Sequence, residues 1–165
     1  MPATQGKHLA ELFHNTLKDV YYAERKILSA LPKMARAAQA KELKAAFEKH
    51  EIETQGQIER LEQVFEVIQQ PPRAKRCDAI EGILDEGKEI MQEYKGSPAL
   101  DAGLLAAAQA VEHYEMSRYG TLRAWADKLG YRKAVPLLEK TLEEEKRTDS
   151  ALTKIAASAI NAEAG

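Results

Sequence analysis

The sequence predicts an all-α protein, a four-helix bundle of long helices with a short fifth helix in the crossover connection. Apolar residues recur at spacings of three and four along most of the chain, which is the period of an amphipathic helix. No segment alternates apolar and polar residues over the length of a strand. The length of 165 residues suits one core, so we expect residues 1–165 to form a single domain.

Composition and charge narrow the class of protein. The 24 Lys and Arg residues nearly balance the 26 Asp and Glu residues, which leaves no basic surface for nucleic acid. No run approaches the ~18 apolar residues of a membrane span, and the N-terminus lacks the layout of a secretory signal. The single cysteine, Cys77, agrees with a reducing compartment. We therefore expect a cytoplasmic protein with no nucleic-acid or membrane partner.

The first two helices are predicted at residues 6–38 and 42–69. Extending the first apolar stripe would place Lys41 and Glu48 in the core, whereas a new stripe begins at Leu43. A turn between the two helices follows, although no glycine or proline marks it.

A shorter helix is predicted at residues 79–95, after Pro71 and Pro72. Asp78 and Glu81 have the spacing of a capping box at its start. This helix connects the two pairs of long helices. Some of its apolar positions are expected to be exposed, which favours a homodimer.

The last two helices are predicted at residues 98–129 and 133–160. Ser97 and Pro98 form a favourable pair for the N-cap and the first helical position of the fourth helix. Gly130 is expected to end that helix and to begin the turn into the fifth.

Glutamates occupy inward positions of the long helices, where leucines would be expected. Glu112 and Glu115 lie one helical turn apart on the inward seam of the fourth helix. Three further glutamates lie about half a helix length from the nearest hairpin turn, namely Glu24, Glu53 and Glu145. Because these positions are level along helices of roughly 45 Å, the five carboxylates are predicted to form one layer at mid-bundle.

Several carboxylates desolvated together must be neutralised by bases, shared protons or cations. The inward seams contain no Lys or Arg, and His50, Gln57 and Asp149 adjoin the layer. Oxygen ligands suit Mn²⁺ and Fe²⁺, and carboxylates in a bundle core can hold two such ions close together. We interpret the layer as a site for two Fe or Mn ions, with His50 as a further candidate ligand and with Gln57 and Asp149 orienting the ligands. The alternative is an acidic network held by shared protons, tyrosines and water.

Nearly the whole chain resembles the bacterial YciE/YciF proteins, which are ferritin-like proteins linked to stress responses. The segments that carry the resemblance are Tyr-Ala-Glu-Arg-Lys at 22–26, His-x-x-Glu-Thr-x-Gly-Gln-Ile-Glu-Arg at 50–60, Val-Glu-His-Tyr-Glu at 111–115, Tyr-Gly-Thr-Leu at 119–122 and Thr-Leu-Glu-Glu-Glu-Lys at 141–146. The resemblance implies a ferritin-like bundle.

The wider resemblance is to rubrerythrin-type di-iron bundles. In these the four helices give a Glu, a Glu-x-x-His, a Glu-x-x-Glu and another Glu-x-x-His. By this pattern the implied metal ligands are Glu24, Glu53, Glu112, Glu115 and Glu145. Gly56 and Thr148 stand where the two histidines would be. His50 lies three residues before Glu53 on the same face and is a substitute for one of them.

Two function hypotheses follow from these patterns. The first is a stress-associated protein with a dinuclear Fe or Mn site that handles metal or consumes a small oxidant, peroxide or oxygen. The second is a non-enzymatic structural or interaction protein, a dimer whose acidic core holds no metal. Storage in a mineral-filled shell would require a cage, and nothing in the sequence specifies one.

Overall fold

The computed structural model describes residues 7–165, apart from the side chain of Ala159. The main helices are α1 (Leu9–Ala37), α2 (Lys41–Val67), α3 (Asp78–Glu93), α4 (Leu100–Lys128) and α5 (Ala134–Ile155). A π-helical turn (Ala156–Ile160) and the short helix α6 (Asn161–Glu163) follow α5. No strand occurs among residues 7–165, so the all-α class is confirmed. Residue 6, the expected start of the first helix, lies outside the described residues.

The four long helices form a closed bundle. α1 packs against α2 and α4 packs against α5, which makes two helical hairpins, and α2–α5 and α1–α4 contacts join these hairpins. The shorter α3 lies in the connection between the hairpins and packs on α1 and α4. This is the expected four-helix bundle with a fifth helix in the crossover. None of the helices in the described part of the chain is long and apolar enough to cross a membrane.

The apolar core is divided into two clusters along the bundle axis. One cluster includes Ile27, Leu31, Leu43, Phe47 and Leu104, toward the α1–α2 turn. The other includes Phe13, Leu17, Phe65, Leu122 and Leu138, toward the α4–α5 turn. Buried polar residues of four helices lie between the two clusters, and they are described below as the acidic layer.

A side chain from a distant part of the sequence closes the α1–α2 turn. The Asp101 carboxylate on α4 accepts hydrogen bonds from the backbone N–H groups of Gln39 (2.8 Å) and Ala40 (2.6 Å). Ala40 is the N-cap of α2 and has no side chain that could cap the helix. Asp101 therefore supplies both the hydrogen-bond acceptor and the negative charge that a helix N-terminus favours.

The Asp101→Ala variant is expected to lower the free energy of unfolding by roughly 2 to 4 kcal/mol, because it removes two charge-assisted hydrogen bonds at a partly buried turn. Urea unfolding of the wild type and the variant measures this change. Asp127→Ala is the control, since Asp127 is exposed on the same helix. Equal losses in the two variants would contradict the capping role of Asp101.

The start of α4 differs from the expectation. The helix begins at Leu100 rather than at Pro98, because a turn precedes it in which the Leu100 N–H donates to the Ser97 carbonyl (3.1 Å). The Ser97 hydroxyl accepts a hydrogen bond from the Ala99 N–H (3.1 Å) and so stabilises this turn instead of capping the helix. At the other end, Gly130 has a φ of +76° and ends α4 as expected.

The expected capping box of α3 is wrong. Asp78 is the first residue of the helix, and the Glu81 side chain accepts a hydrogen bond from the Tyr22 hydroxyl and pairs with Lys26 (3.3 Å). These contacts attach α3 to α1. Because Glu81 reaches across to another helix, it is not available to the backbone at the start of its own.

The apolar residues of α3 are half-buried rather than exposed. Those that pack against the first cluster are Ile83, Leu84, Ile90 and Met91. Gly103 lets α3 approach α4 closely, since a Cβ atom there would lie 2.6 Å from Cγ2 of Ile90. The exposed apolar face expected for α3 is therefore absent from these positions, and the homodimer stays a prediction.

Candidate metal centre

Five polar side chains from four helices meet in the acidic layer at mid-bundle. α1 contributes Glu24, α2 contributes His50, α4 contributes Glu112 and Glu115, and α5 contributes Glu145. Their exposed fractions lie between 0% and 4%, so the layer is shielded from solvent. The helical periodicity that placed these residues on inward seams in the sequence therefore brings them together in the fold.

The layer contains two groups of potential metal ligands that share one residue. The first group is His50, Glu112 and Glu145, and the second is Glu24, Glu115 and Glu145. Within each group, one ligand atom from every residue lies within 4.8 Å of the others. Two cations could thus be held side by side, with Glu145 between them.

The hydrogen-bonding state of the carboxylates fits cations. Within the part of the chain that the structure describes, five buried carboxylate oxygens lack a hydrogen-bond partner: Glu24 Oε2, Glu112 Oε2, both oxygens of Glu115 and Glu145 Oε2. A buried oxygen without a partner is costly, and such clusters are rare unless water or an ion satisfies them. The donor set, mostly carboxylate oxygen with one imidazole, suits Fe²⁺ or Mn²⁺.

Burial and mutual repulsion shift the acids toward their protonated forms. Burial raises the pKa of Glu24 to about 7, although contacts with Glu115 and Tyr119 oppose the rise. The Tyr119 hydroxyl donates to Glu24 Oε1 at 2.5 Å. Burial, together with the neighbouring carboxylates, also raises the pKa of Glu115 and of Glu145 well above the usual range. The acids of the metal-free layer therefore keep their protons to higher pH than ordinary carboxyl groups do.

His50 is the cationic member of this layer. Its Nε2 lies 2.8 Å from Glu112 Oε1, but without hydrogen-bond geometry, so the contact is an ion pair rather than a directed hydrogen bond. Burial alone would lower the pKa of His50, but Glu112, Glu53 and Glu24 outweigh it and raise the pKa to about 10. In the metal-free protein His50 is thus a buried cation, and it must lose its proton to bind a metal.

Glu53, a predicted ligand, lies outside both groups. It is 22% exposed and accepts a hydrogen bond from the Thr148 hydroxyl at 3.2 Å. The interaction with His50, whose Nδ1 is 3.7 Å away, holds the pKa of Glu53 below its usual range. The structure therefore places Glu53 at the rim of the layer, where its carboxylate already has partners.

The two residues predicted to orient the ligands behave differently. Gln57 Nε2 donates to Glu145 Oε1 (2.5 Å), the contact expected of an orienting residue. Asp149 instead pairs with the exposed His113, whose Nε2 lies 3.1 Å from Asp149 Oδ1. The assignment of Asp149 to the site is wrong because the rotation of α5 directs its side chain toward α4 near the surface.

Sequence reasoning missed an ion pair beside the layer. Arg60 pairs with Glu144 and also donates from Nε to the Thr141 hydroxyl (3.0 Å). Gln57 Nε2 also donates to Glu144 (3.2 Å) and so links this pair to Glu145. The position of Arg60, three residues after Gln57 on the same face of α2, is the signal that could have revealed it.

Comparison with known proteins places the chain in a family. The family described as a domain of unknown function, DUF892, matches residues 8–165. The chain belongs to the DUF892 family. Protein YciF of Escherichia coli strain K12 is 46% identical over 160 residues, which are 96% of this chain and 96% of that relative. The resemblance to YciE/YciF proteins is therefore confirmed, and this DUF892 chain is related to a stress protein.

Solved structures support the same fold for this DUF892 chain. The crystal structure of the E. coli stress protein YciF matches with a TM-score of 0.90 at 44% identity, over 94% of this chain and 99% of that chain. YcfI of Rhodopseudomonas palustris, a suggested structural protein, matches with a TM-score of 0.86 at 42% identity, over 93% and 98%. A Xanthomonas campestris protein at 22% identity shares the fold, with a TM-score of 0.70. The bundle is ferritin-like, as expected.

Proposed function

We propose that the protein binds two Fe or Mn ions in the acidic layer and handles metal or a small oxidant in a stress response. The observation that carries this proposal is the pair of buried ligand groups that share Glu145. One ion would be held by His50, Glu112 and Glu145. The other would be held by Glu24, Glu115 and Glu145.

The chain's own residues would hold the ions, orient the ligand oxygens and exclude water from the site. Bound iron or manganese would supply electrons to peroxide or dioxygen. Gln57 fixes one oxygen of Glu145 and Tyr119 fixes one oxygen of Glu24, and among the described residues the second oxygen of each carboxylate has no hydrogen-bond partner. The apolar clusters on both sides exclude water and strengthen every charge interaction in the layer. The free thiol of Cys77 fits a cytoplasmic location.

Metal analysis and thermal melting test this function. Untagged protein purified without chelator is expected to contain about two metal ions per chain. Adding Mn²⁺, or Fe²⁺ without oxygen, should raise the melting temperature by roughly 10 to 20 °C when free metal exceeds the Kd of both sites about 100-fold. Absence of bound metal together with an unchanged melting temperature would contradict the proposal.

A second candidate function is a structural homodimer with a metal-free acidic layer. The contact of His50 with Glu112 favours it, since a buried imidazolium and shared protons would neutralise part of the layer. The description of the related YcfI as a suggested structural protein points the same way. This candidate predicts a dimer by light scattering and no metal-dependent change in melting temperature.

A further inference from the structure

A cavity of about 130 Å³, lined mostly by apolar residues, lies between α1, α3 and α4. We call it the outer chamber. Its apolar lining includes Ala30 and Met34 of α1, Leu84 and Met91 of α3, and Val111 of α4. Charged residues also border it, and one of them, Lys26, already pairs with Glu81. Lys33 and Lys88 also line it, so the chamber combines an apolar wall with a basic border and offers space for a small molecule.

A second cavity of about 10 Å³ borders both this region and the acidic layer. We call it the inner cavity. It shares four lining residues with the outer chamber, namely Ala30, Met34, Leu84 and Val111. Its lining also includes His50 and Glu112 of the first ligand group. Among the described residues, neither ring nitrogen of His50 nor Glu112 Oε2 has a hydrogen-bond partner, although His50 Nε2 is ion-paired with Glu112 Oε1.

The size and chemistry of the inner cavity select what can pass. A volume of about 10 Å³ is close to the minimum for a single water molecule. Its lining is apolar apart from His50, Glu112 and Thr148, so an ion that passed would lose its hydration shell without replacement. A small neutral molecule that makes few hydrogen bonds to water loses the least hydration free energy when it enters this cavity.

We propose that the outer chamber and the inner cavity form an access path that delivers dioxygen to the His50–Glu112 side of the acidic layer. The inference rests on the proposed metal-binding function and adds the route and the class of oxidant. Dioxygen is favoured over hydrogen peroxide because peroxide must give up hydrogen bonds to water that the apolar lining does not replace. With Fe²⁺ held by the residues of the two ligand groups, the site would supply the two electrons that reduce one dioxygen to hydrogen peroxide, while two water molecules would supply the two protons and become hydroxide.

Xenon tests the path without any metal. Xenon binds in apolar cavities, so crystals of the metal-free protein under xenon pressure should show it against the apolar residues of the outer chamber. Ala30→Phe places a large side chain where the two cavities meet and should abolish this occupancy. Ala124→Phe is the control, because Ala124 is exposed and lines neither cavity. Absence of xenon from the wild-type chamber would overturn the proposal.

The oxidation rate tests delivery to the metal. Protein loaded with Fe²⁺ without oxygen is mixed with dissolved dioxygen, and the formation of Fe³⁺ is followed by absorbance. Ala30→Phe should be about tenfold slower than the wild type at equal iron content, whereas Leu84→Ala, which widens the passage, should be at least as fast. Equal rates in all three proteins would overturn the path. If Ala30→Phe does not fold, a Leu84→Ala rate below that of the wild type would overturn it.

The two proposals fail in different ways. A wild-type protein that binds no iron would contradict the proposed function, and xenon occupancy would still decide whether the chamber admits small apolar molecules. A protein that binds two iron ions but excludes xenon would keep the function and lose the access path.

Discussion

Glu145→Gln is expected to remove both metal ions from the protein, because Glu145 belongs to both ligand groups. Glutamine keeps the shape of the side chain but loses the charge, so each ion loses a carboxylate ligand, and the affinity should fall by more than about 100-fold. Glu24→Gln should cost only the ion of its own group, and His50→Gln only the ion of the other. The number of Mn²⁺ ions per chain is measured after dialysis at a fixed free Mn²⁺ concentration. It should be about two in the wild type, zero in Glu145→Gln, and one in each of Glu24→Gln and His50→Gln.

Two further variants complete this series. Glu143→Gln is the matched control, since Glu143 is exposed on the same helix, and it should retain both ions. Glu53→Gln separates the family resemblance from the geometry: the resemblance makes Glu53 a ligand, whereas the structure places it outside both groups. We expect Glu53→Gln to bind two ions. Loss of metal in Glu53→Gln combined with full binding in Glu145→Gln would refute the shared-ligand arrangement.

The metal-free protein is expected to become less stable as the pH rises from 5 to 9. Glu24, Glu115 and Glu145 have raised pKa values when folded, so above the ordinary carboxyl pKa the folded protein binds more protons than the unfolded chain. The pKa of His50, raised from 6.5 to about 10, acts in the same direction at higher pH. The shift of Glu24 from 4.5 to about 7 alone corresponds to on the order of 3 kcal/mol.

Urea unfolding at pH 5, 7 and 9 in the presence of a chelator measures this dependence. Glu115→Gln should show a shallower fall, because one of the protonated acids is gone. Metal should reverse the trend, since ligands bind metal in their deprotonated forms and the metal-dependent rise in melting temperature should grow with pH. A metal-free protein that gains stability from pH 5 to 9 would show that the acids are ionised in the folded state.

Helical periodicity was sufficient to predict the acidic layer. The inward seam of a helix repeats every three to four residues, so the direction of Glu24, His50, Glu112, Glu115 and Glu145 follows from position alone. The height of each residue along the bundle axis follows from the constant rise per residue of an α-helix. Both quantities are local, which is why the sequence was enough for five of the six predicted ligands to meet.

The remaining contacts depend on distances and rotations that no local pattern determines. Asp101 closes a turn whose own residues, Gln39 and Ala40, give no turn signal, and it comes from a helix about 60 residues further on. Glu53 and Asp149 lie at the edge of their seams, where a small rotation of the helix moves a carboxylate from the layer to the rim. Such rotations are set by how whole helices pack, and so they required the structure.

The separation of the apolar core into two clusters has a consequence for how the protein unfolds. Each cluster carries its own hydrophobic stabilisation, and the acidic layer is the part of the interior that connects them. When the layer holds repelling carboxylates, one end of the bundle can open while the other stays closed, and amide hydrogen exchange would then differ between the ends. Two cations shared by four helices would couple both ends into a single cooperative unit.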